Sequence, residues 1–300
     1  MHPSLSDRLF ALLQIILPHH FLSRIMLRLT RSRGLFRRLF TPWFIRHFNI
    51  DMSQAREPDW RKYENFNQFF TRELKPDARP VEGDERSLLS PVDGCVSQAG
   101  KIRADRIFQA KGHDYSLAAL LGGESPWPTT FADGEFATLY LSPRDYHRIH
   151  MPIDGKLLEV IHVPGRLFSV NPATTRTIPG LFARNERVVC IFETTVGPMA
   201  MVLVGAIFVA SIETVWQGIV TPPAGRKVRR WDYREKDIVL KKAQEMGRFN
   251  MGSTVILLFG KNRIVLDKKI KAMAPVQMGQ RLGETASHPY PGSGLHVGRP

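Results

Sequence analysis

The run Thr254-Val255-Ile256-Leu257-Leu258-Phe259 constrains this chain more than any other stretch. It is too short for an ordinary helix, and its β-branched and aromatic content suits a strand covered on both faces. A second run, Pro198 to Ile212, is the most apolar part of the chain. Its Gly205, Ser211, short length and excess of Val and Ile argue for buried sheet rather than a membrane span. Phe136 to Leu141, Leu157 to Ser169 and Arg187 to Thr194 add β-rich segments, with Pro164-Gly165 and Asn171-Pro172 as turns. The segments after Trp60 are therefore short and turn-bounded. They predict a mainly antiparallel β domain over residues 60–285 and, with the helices before it, an α+β fold. A chain of 300 residues at ordinary globular composition can bury such a core.

The segment Met1 to Ile50 reads differently. Arg8, Arg24, Arg28, Arg31, Arg33, Arg37, Arg38 and Arg46 stand there against Asp7 alone, so half of the net charge of +14 lies in this stretch. Leu5, Leu9, Leu12, Leu13 and Ile16 share one face of a helix from Ser4 to Leu17, with Ser6 as N-cap and Pro18 as stop. Leu22, Ile25, Met26 and Leu29 form the apolar face of a second helix ahead of Gly34. A third segment carries Leu35, Phe36, Leu39, Phe40, Trp43 and Phe44 and is expected to break at Pro42.

Apolar faces backed by arginine fit helices lying in the headgroup layer of an anionic membrane. The alternative packs those faces on the core and leaves the arginines solvated. Nucleic acid fits less well, because its binders need basic faces without so much aliphatic surface. Residues 1–59 are then membrane-associating helices and a polar linker, and residues 286–300 read as a disordered tail. Cys95 and Cys190 are too few for a disulfide framework, and no signal-peptide pattern appears. The expectation is a peripheral protein on the cytoplasmic side of the cell membrane.

The entry to the central strand reads Arg248-Phe249-Asn250-Met251-Gly252-Ser253. Gly252 frees the backbone, and Ser253 can attack its own preceding carbonyl if the bond is held bent and a base takes the hydroxyl proton. On its own, Gly-Ser-Thr reads more simply as a polar turn. His147 and His150 sit amid Arg144, Asp145 and Arg148, denser in titratable groups than a turn requires. Acid–base work suits the pair better than metal binding, which lacks a convincing third ligand. Asp93, in Ser90-Pro91-Val92-Asp93-Gly94, is either a turn aspartate or a carboxylate that orients a histidine. Phe66 to Pro80 reads as a short aromatic helix running into a loop, with Arg72 and Lys75 free to meet phosphate.

Four of these stretches, in order, resemble the phosphatidylserine decarboxylases. They are Phe-Asn-Gln-Phe-Phe-Thr-Arg-Glu-Leu at 66–74, Ser-Pro-Val-Asp-Gly at 90–94, Tyr-His-Arg-Ile-His-Met-Pro at 146–152 and Gly-Arg-Phe-Asn-Met-Gly-Ser-Thr-Val-Ile at 247–256. The likeness runs from the arginine-rich helices to Met278-Gly279-Gln280. One residue departs from the family's pattern: Met251 stands where leucine is usual. That swap conserves volume and apolarity, so cleavage is expected to survive it, at an altered rate if anything.

The resemblance implies that Ser253 cuts the Gly252–Ser253 bond, leaving a chain of residues 1–252 and a chain that starts at 253. Asp93 and His150 would form a charge relay with that serine, and His147 would serve decarboxylation. With Asp93 holding its tautomer, His150 takes the Ser253 proton and the alkoxide converts the Gly252 amide to an ester. Elimination leaves dehydroalanine, whose hydrolysis releases ammonia and leaves a covalent pyruvoyl group derived from Ser253. No metal or external cofactor is implied.

The pyruvoyl ketone would form a Schiff base with phosphatidylserine and accept the electron pair released with CO2. Protonation by His147 then gives phosphatidylethanolamine. The implied partners are phosphatidylserine, an anionic membrane surface and the chain's own two fragments as a heterodimer, with further oligomerisation open. A pyruvoyl enzyme for a soluble amino acid would leave the helices unexplained. A membrane-binding β domain without activity would leave Gly-Ser-Thr a mere turn.

Overall fold

The computed structural model describes residues 4–207, 211–222, 225–251 and 254–286. Three helices come first, α1 (Leu5–Ile16), α2 (His19–Thr30) and α3 (Leu35–Phe48), and a short α4 (Phe66–Phe70) follows. The N-cap of α1 is Ser4, not Ser6. Its hydroxyl accepts from the Asp7 N–H while the Asp7 carboxylate accepts from the Ser4 N–H, a reciprocal pair that Ser6 does not form.

The break expected at Pro42 does not occur, and α3 runs through it. Phe36, Phe40, Phe44 and Phe48 lie one turn apart, their successive ring centroids 4.7, 5.6 and 4.4 Å from each other. They close on Phe66 of α4, 4.9 Å from Phe40. This packing offsets the hydrogen bond that proline removes.

The main sheet is antiparallel, with nine strands among the described residues. Its principal members are β1 (Gly94–Lys101), β2 (Glu135–Tyr140), β4 (Gly155–Val163), β5 (Arg187–Thr194), β6 (Gly197–Val204) and β9 (Thr254–Phe259). Across the sheet the order is Arg229–Asp232, β4, β5, β6, β9, β2, β1 and Pro275–Val276. Every residue of β9 is buried, which its unbroken apolar run requires.

A smaller antiparallel sheet holds Gly218–Thr221, β7 (Ile212–Thr214), β8 (Glu245–Phe249) and β3 (Arg148–His150) in that order. The chain therefore crosses from the small sheet to the centre of the large one through residues 250–253. Gly247 lets β8 come close to β7, because a Cβ there would stand 2.4 Å from the Glu213 carbonyl oxygen. Both cysteines are free thiols.

Candidate active site

The pairing of β8 with β3 brings the two histidines to the crossing. Arg248 lies opposite Arg148 and Glu245 opposite His150, and the Phe249 N–H donates to the His147 carbonyl at 3.0 Å. The turn ahead of β3 is closed by Asp145, whose carboxylate accepts from the Ser142 N–H at 2.6 Å and from its hydroxyl at 2.7 Å. Next to the crossing, Asn250 is fully buried. Its Oδ1 accepts from Asn67 Nδ2 at 3.0 Å, its N–H donates to the Ser211 carbonyl at 3.0 Å, and its Nδ2 donates to the Ser211 hydroxyl. The α4 motif, the small sheet and the entry to β9 are thus tied at one point.

His150 is buried, with Nδ1 2.7 Å from the Ala243 carbonyl and Nε2 3.1 Å from the Tyr146 hydroxyl. A carbonyl can only accept, so Nδ1 carries the proton and Nε2 is the basic nitrogen. Burial holds the imidazole below its ordinary pKa, with the Ala243 bond opposing. His150 is therefore a neutral base at pH 7.

The carboxylate of Asp93 does not fix this tautomer, contrary to the sequence expectation. It accepts from Arg79 Nε at 2.8 and 3.0 Å, from Arg79 Nη2, and from the Met278 N–H at 2.9 Å. The physical reason is competition: the guanidinium fork matches a carboxylate in a bidentate fashion that a single imidazole N–H does not. Asp93 still acts on His150 as a nearby negative charge that favours the imidazolium. Gly94 lets the Asp93 turn enter β1 against β2, since a Cβ there would meet the Tyr140 carbonyl oxygen at 2.1 Å.

His147 is fully buried and stacks on Phe70, centroids 4.0 Å apart and planes 21° from parallel. Burial, reinforced by the Arg72 charge, pushes its pKa down to about 3, so the ring is neutral at pH 7. The backbone at Ser142 and Pro143 opposes that shift, yet among the described residues neither ring nitrogen makes a well-formed hydrogen bond, and the same holds for Asn67 Oδ1, Arg72 Nε and Nη1, and Thr254 Oγ1. Buried polar atoms are rarely left unpaired, so such a group of them marks a place where something else binds. Gly252 and Ser253, and the tail from 287 to 300, lie outside the described residues.

A family profile described as phosphatidylserine decarboxylase matches residues 66–284, and a second, described as PSD, matches residues 9–49. The chain is 52% identical over 283 residues to the phosphatidylserine decarboxylase proenzyme of Idiomarina loihiensis, covering 93% of this chain and 97% of that one. To the proenzyme of the same name from Bordetella avium it is 53% identical over 287 residues, or 95% and 97% of the two chains. The chain belongs to the phosphatidylserine decarboxylase family.

Beside the crossing, the chain has a mostly apolar cavity of about 460 Å³, lined by Trp43 and Phe44 of α3, Phe70, Tyr140, Pro143 and Met251 among others. Phe70 is shared between that cavity and the His147 ring. On the other side of α4 lies a second cavity of about 440 Å³, lined by polar and charged groups. The residues at the crossing suit a small carbonyl group carried on the chain, because the ring of His147 and the hydroxyl of Thr254 can donate to it. Sequence reasoning placed neither Tyr146 nor Arg79 in the site. Tyr146 stood inside a recognised motif, but the group it would touch was not legible.

Proposed function

We propose that the protein is a precursor that cuts itself at Gly252–Ser253, carries a pyruvoyl group derived from Ser253 and decarboxylates phosphatidylserine to phosphatidylethanolamine while lying on an anionic membrane surface. The observation that carries this reading is the set of unpaired buried polar atoms at the β8–β9 crossing, beside an apolar cavity walled by the N-terminal helices.

In this reading His150 is the base for cleavage. Its Nε2 takes the Ser253 hydroxyl proton once Tyr146 releases it, and the negative charge of Asp93 supports the imidazolium that forms. The pyruvoyl group supplies an electron sink for the pair left by departing CO2. His147 supplies the proton that replaces the carboxylate. Its ring is neutral at rest, and the substrate's carboxylate, arriving in a dry chamber, raises its affinity for a proton, so the acid forms where it is needed.

The helices bring the site to the lipid. α1 turns Ala11 and Gln14 inward and leaves Leu5 85% and Ile16 75% exposed, while Leu35 of α3 is 69% exposed. No single helix among the described residues is long and apolar enough to cross a membrane; α1 and α2 meet at an 83° bend. A peripheral position on the anionic cytoplasmic leaflet suits this arginine-backed surface. The two fragments stay together as a heterodimer because β9 sits between β6 and β2, one on each side.

The mass of the purified short chain tests cleavage and the pyruvoyl group together, and Ser253→Ala should leave one uncut, inactive chain. His147→Ala should still yield two chains and the pyruvoyl mass, yet release CO2 about 10²–10⁴-fold more slowly. A His147→Ala protein that stays uncut, or that turns over normally, overturns this division of labour.

A further inference from the structure

Arg72 is 4% exposed, and its Nε and Nη1 have no hydrogen-bond partner among the described residues. Its guanidinium carbon lies 5.5 Å from the centre of the Phe69 ring. It lines the polar cavity of about 440 Å³ together with Arg56, Arg148 and Arg248 and the carboxylates Glu57 and Glu73. Each of those three arginines has a carboxylate in reach: Arg56 has Glu73 at 2.8 Å, and Glu245 is shared by Arg148 at 2.8 Å and Arg248 at 2.9 Å. Arg72 is thus the lining arginine with no carboxylate partner among the described residues. A buried guanidinium without a partner is costly, and the arrangement is stable in use only if an anion completes it.

The cavity lining approaches the reaction centre through the α4 segment and β3. Arg72 follows Phe70, the ring stacked on His147, by two residues, and Arg148 of the cavity lies between the two histidines and donates to the Thr71 carbonyl at 2.9 Å. We propose that Arg72 holds the phosphodiester of the lipid substrate, so that this cavity is the headgroup chamber and the apolar cavity across α4 takes the acyl chains. The proposal rests on the reading of the protein as a phosphatidylserine decarboxylase.

The headgroup carries two anions, and the chemistry chooses between them. The carboxylate loses its charge as CO2 leaves, so a cation fixed on it would stabilise the ground state more than the transition state and slow the reaction. The phosphodiester keeps its charge throughout. A guanidinium on the phosphodiester anchors substrate and transition state equally and leaves the barrier unchanged.

The test uses the full chain, after its self-cleavage is checked by intact mass, with monomeric dihexanoyl phosphatidylserine as substrate. Arg72→Gln should raise KM about 10- to 100-fold, and Arg72→Lys, which keeps the charge beside His147, should recover part of the loss. The product keeps the phosphodiester and lacks the carboxylate. Inhibition by dihexanoyl phosphatidylethanolamine should therefore weaken in Arg72→Gln by the same factor as KM rises. A raised KM with unchanged product inhibition would assign Arg72 to the carboxylate and overturn the proposal. So would unchanged KM, or inorganic phosphate bound in an Arg72-dependent way without any change in lipid kinetics. Failure of both variants to cut would place Arg72 in processing instead. An inactive parent protein that has cut normally would sink the decarboxylase reading itself, a result distinct from all of these.

Discussion

Burial sets the charge state of His147 and ties it to stability. The folded-state pKa is lowered from 6.5 to about 3, so between those values the unfolded chain binds a proton that the folded one does not. Stability is therefore present above pH 6.5 and is lost as pH falls towards 3, at about 1.4 kcal/mol per pH unit for one proton. His19, lowered to about 4 by burial and the Arg166 charge, adds to the same window. The unfolding midpoint of the processed enzyme should fall on acidification below pH 6.5, and less steeply in His147→Gln, which removes one titrating group. Equal slopes in the two proteins would mean that His147 is solvated. The identity of this residue was readable in the Tyr-His-Arg-Ile-His motif. Its neutral state was not, because desolvation comes from Phe70, far away in sequence.

At the scale of the element, α1 is amphipathic with its polar side inward. Gln14 accepts from the Ser169 N–H at 2.7 Å, and Asp7 pairs with Arg176 of the short helix Pro172–Thr177 at 3.0 Å, while the leucines face out. In water alone such a helix would be expected to turn over, since each exposed leucine forgoes roughly 1.5–3 kcal/mol of burial. A lipid surface removes that penalty. Leu9→Ser combined with Leu13→Ser should leave self-cleavage and the thermal midpoint nearly unchanged, because neither side chain is buried, yet reduce flotation with liposomes of anionic lipid at least several-fold. Undiminished flotation would mean that α1 is not the docking surface. Periodicity revealed that the leucines share a face. It did not reveal which way that face points, because the same pattern serves a core-facing helix.

For the molecule as a whole, the functional point is where the chain leaves the small sheet and enters the centre of the large one. Asn250 holds that point by bonding Asn67 and Ser211 at once. Asn250→Ala strands partners in a buried place at about 1–3 kcal/mol, and should lower the thermal midpoint by several degrees and slow self-cleavage of freshly made precursor. Normal cleavage kinetics with a lowered midpoint would reduce Asn250 to a purely stabilising role.

The sequence alone determined the kinds of element, the apolar faces and the identity of the chemical groups, because period, turn residues and side-chain type are local properties. The apolar run of β9 could be little other than a buried strand, and His147 and His150 stood out by type and spacing, whereas Asp93 read equally as a turn residue until the family resemblance singled it out. Tertiary structure alone decided how those groups are partnered. His150 is oriented by a backbone carbonyl 93 residues away, and a carbonyl has no signature in residue type. Asp93 is claimed by Arg79, and Arg72 is left without a carboxylate among the described residues, because strand register and helix docking set which charges meet. Packing also carried α3 through Pro42 against local preference, since stacked phenylalanines outweighed one missing hydrogen bond.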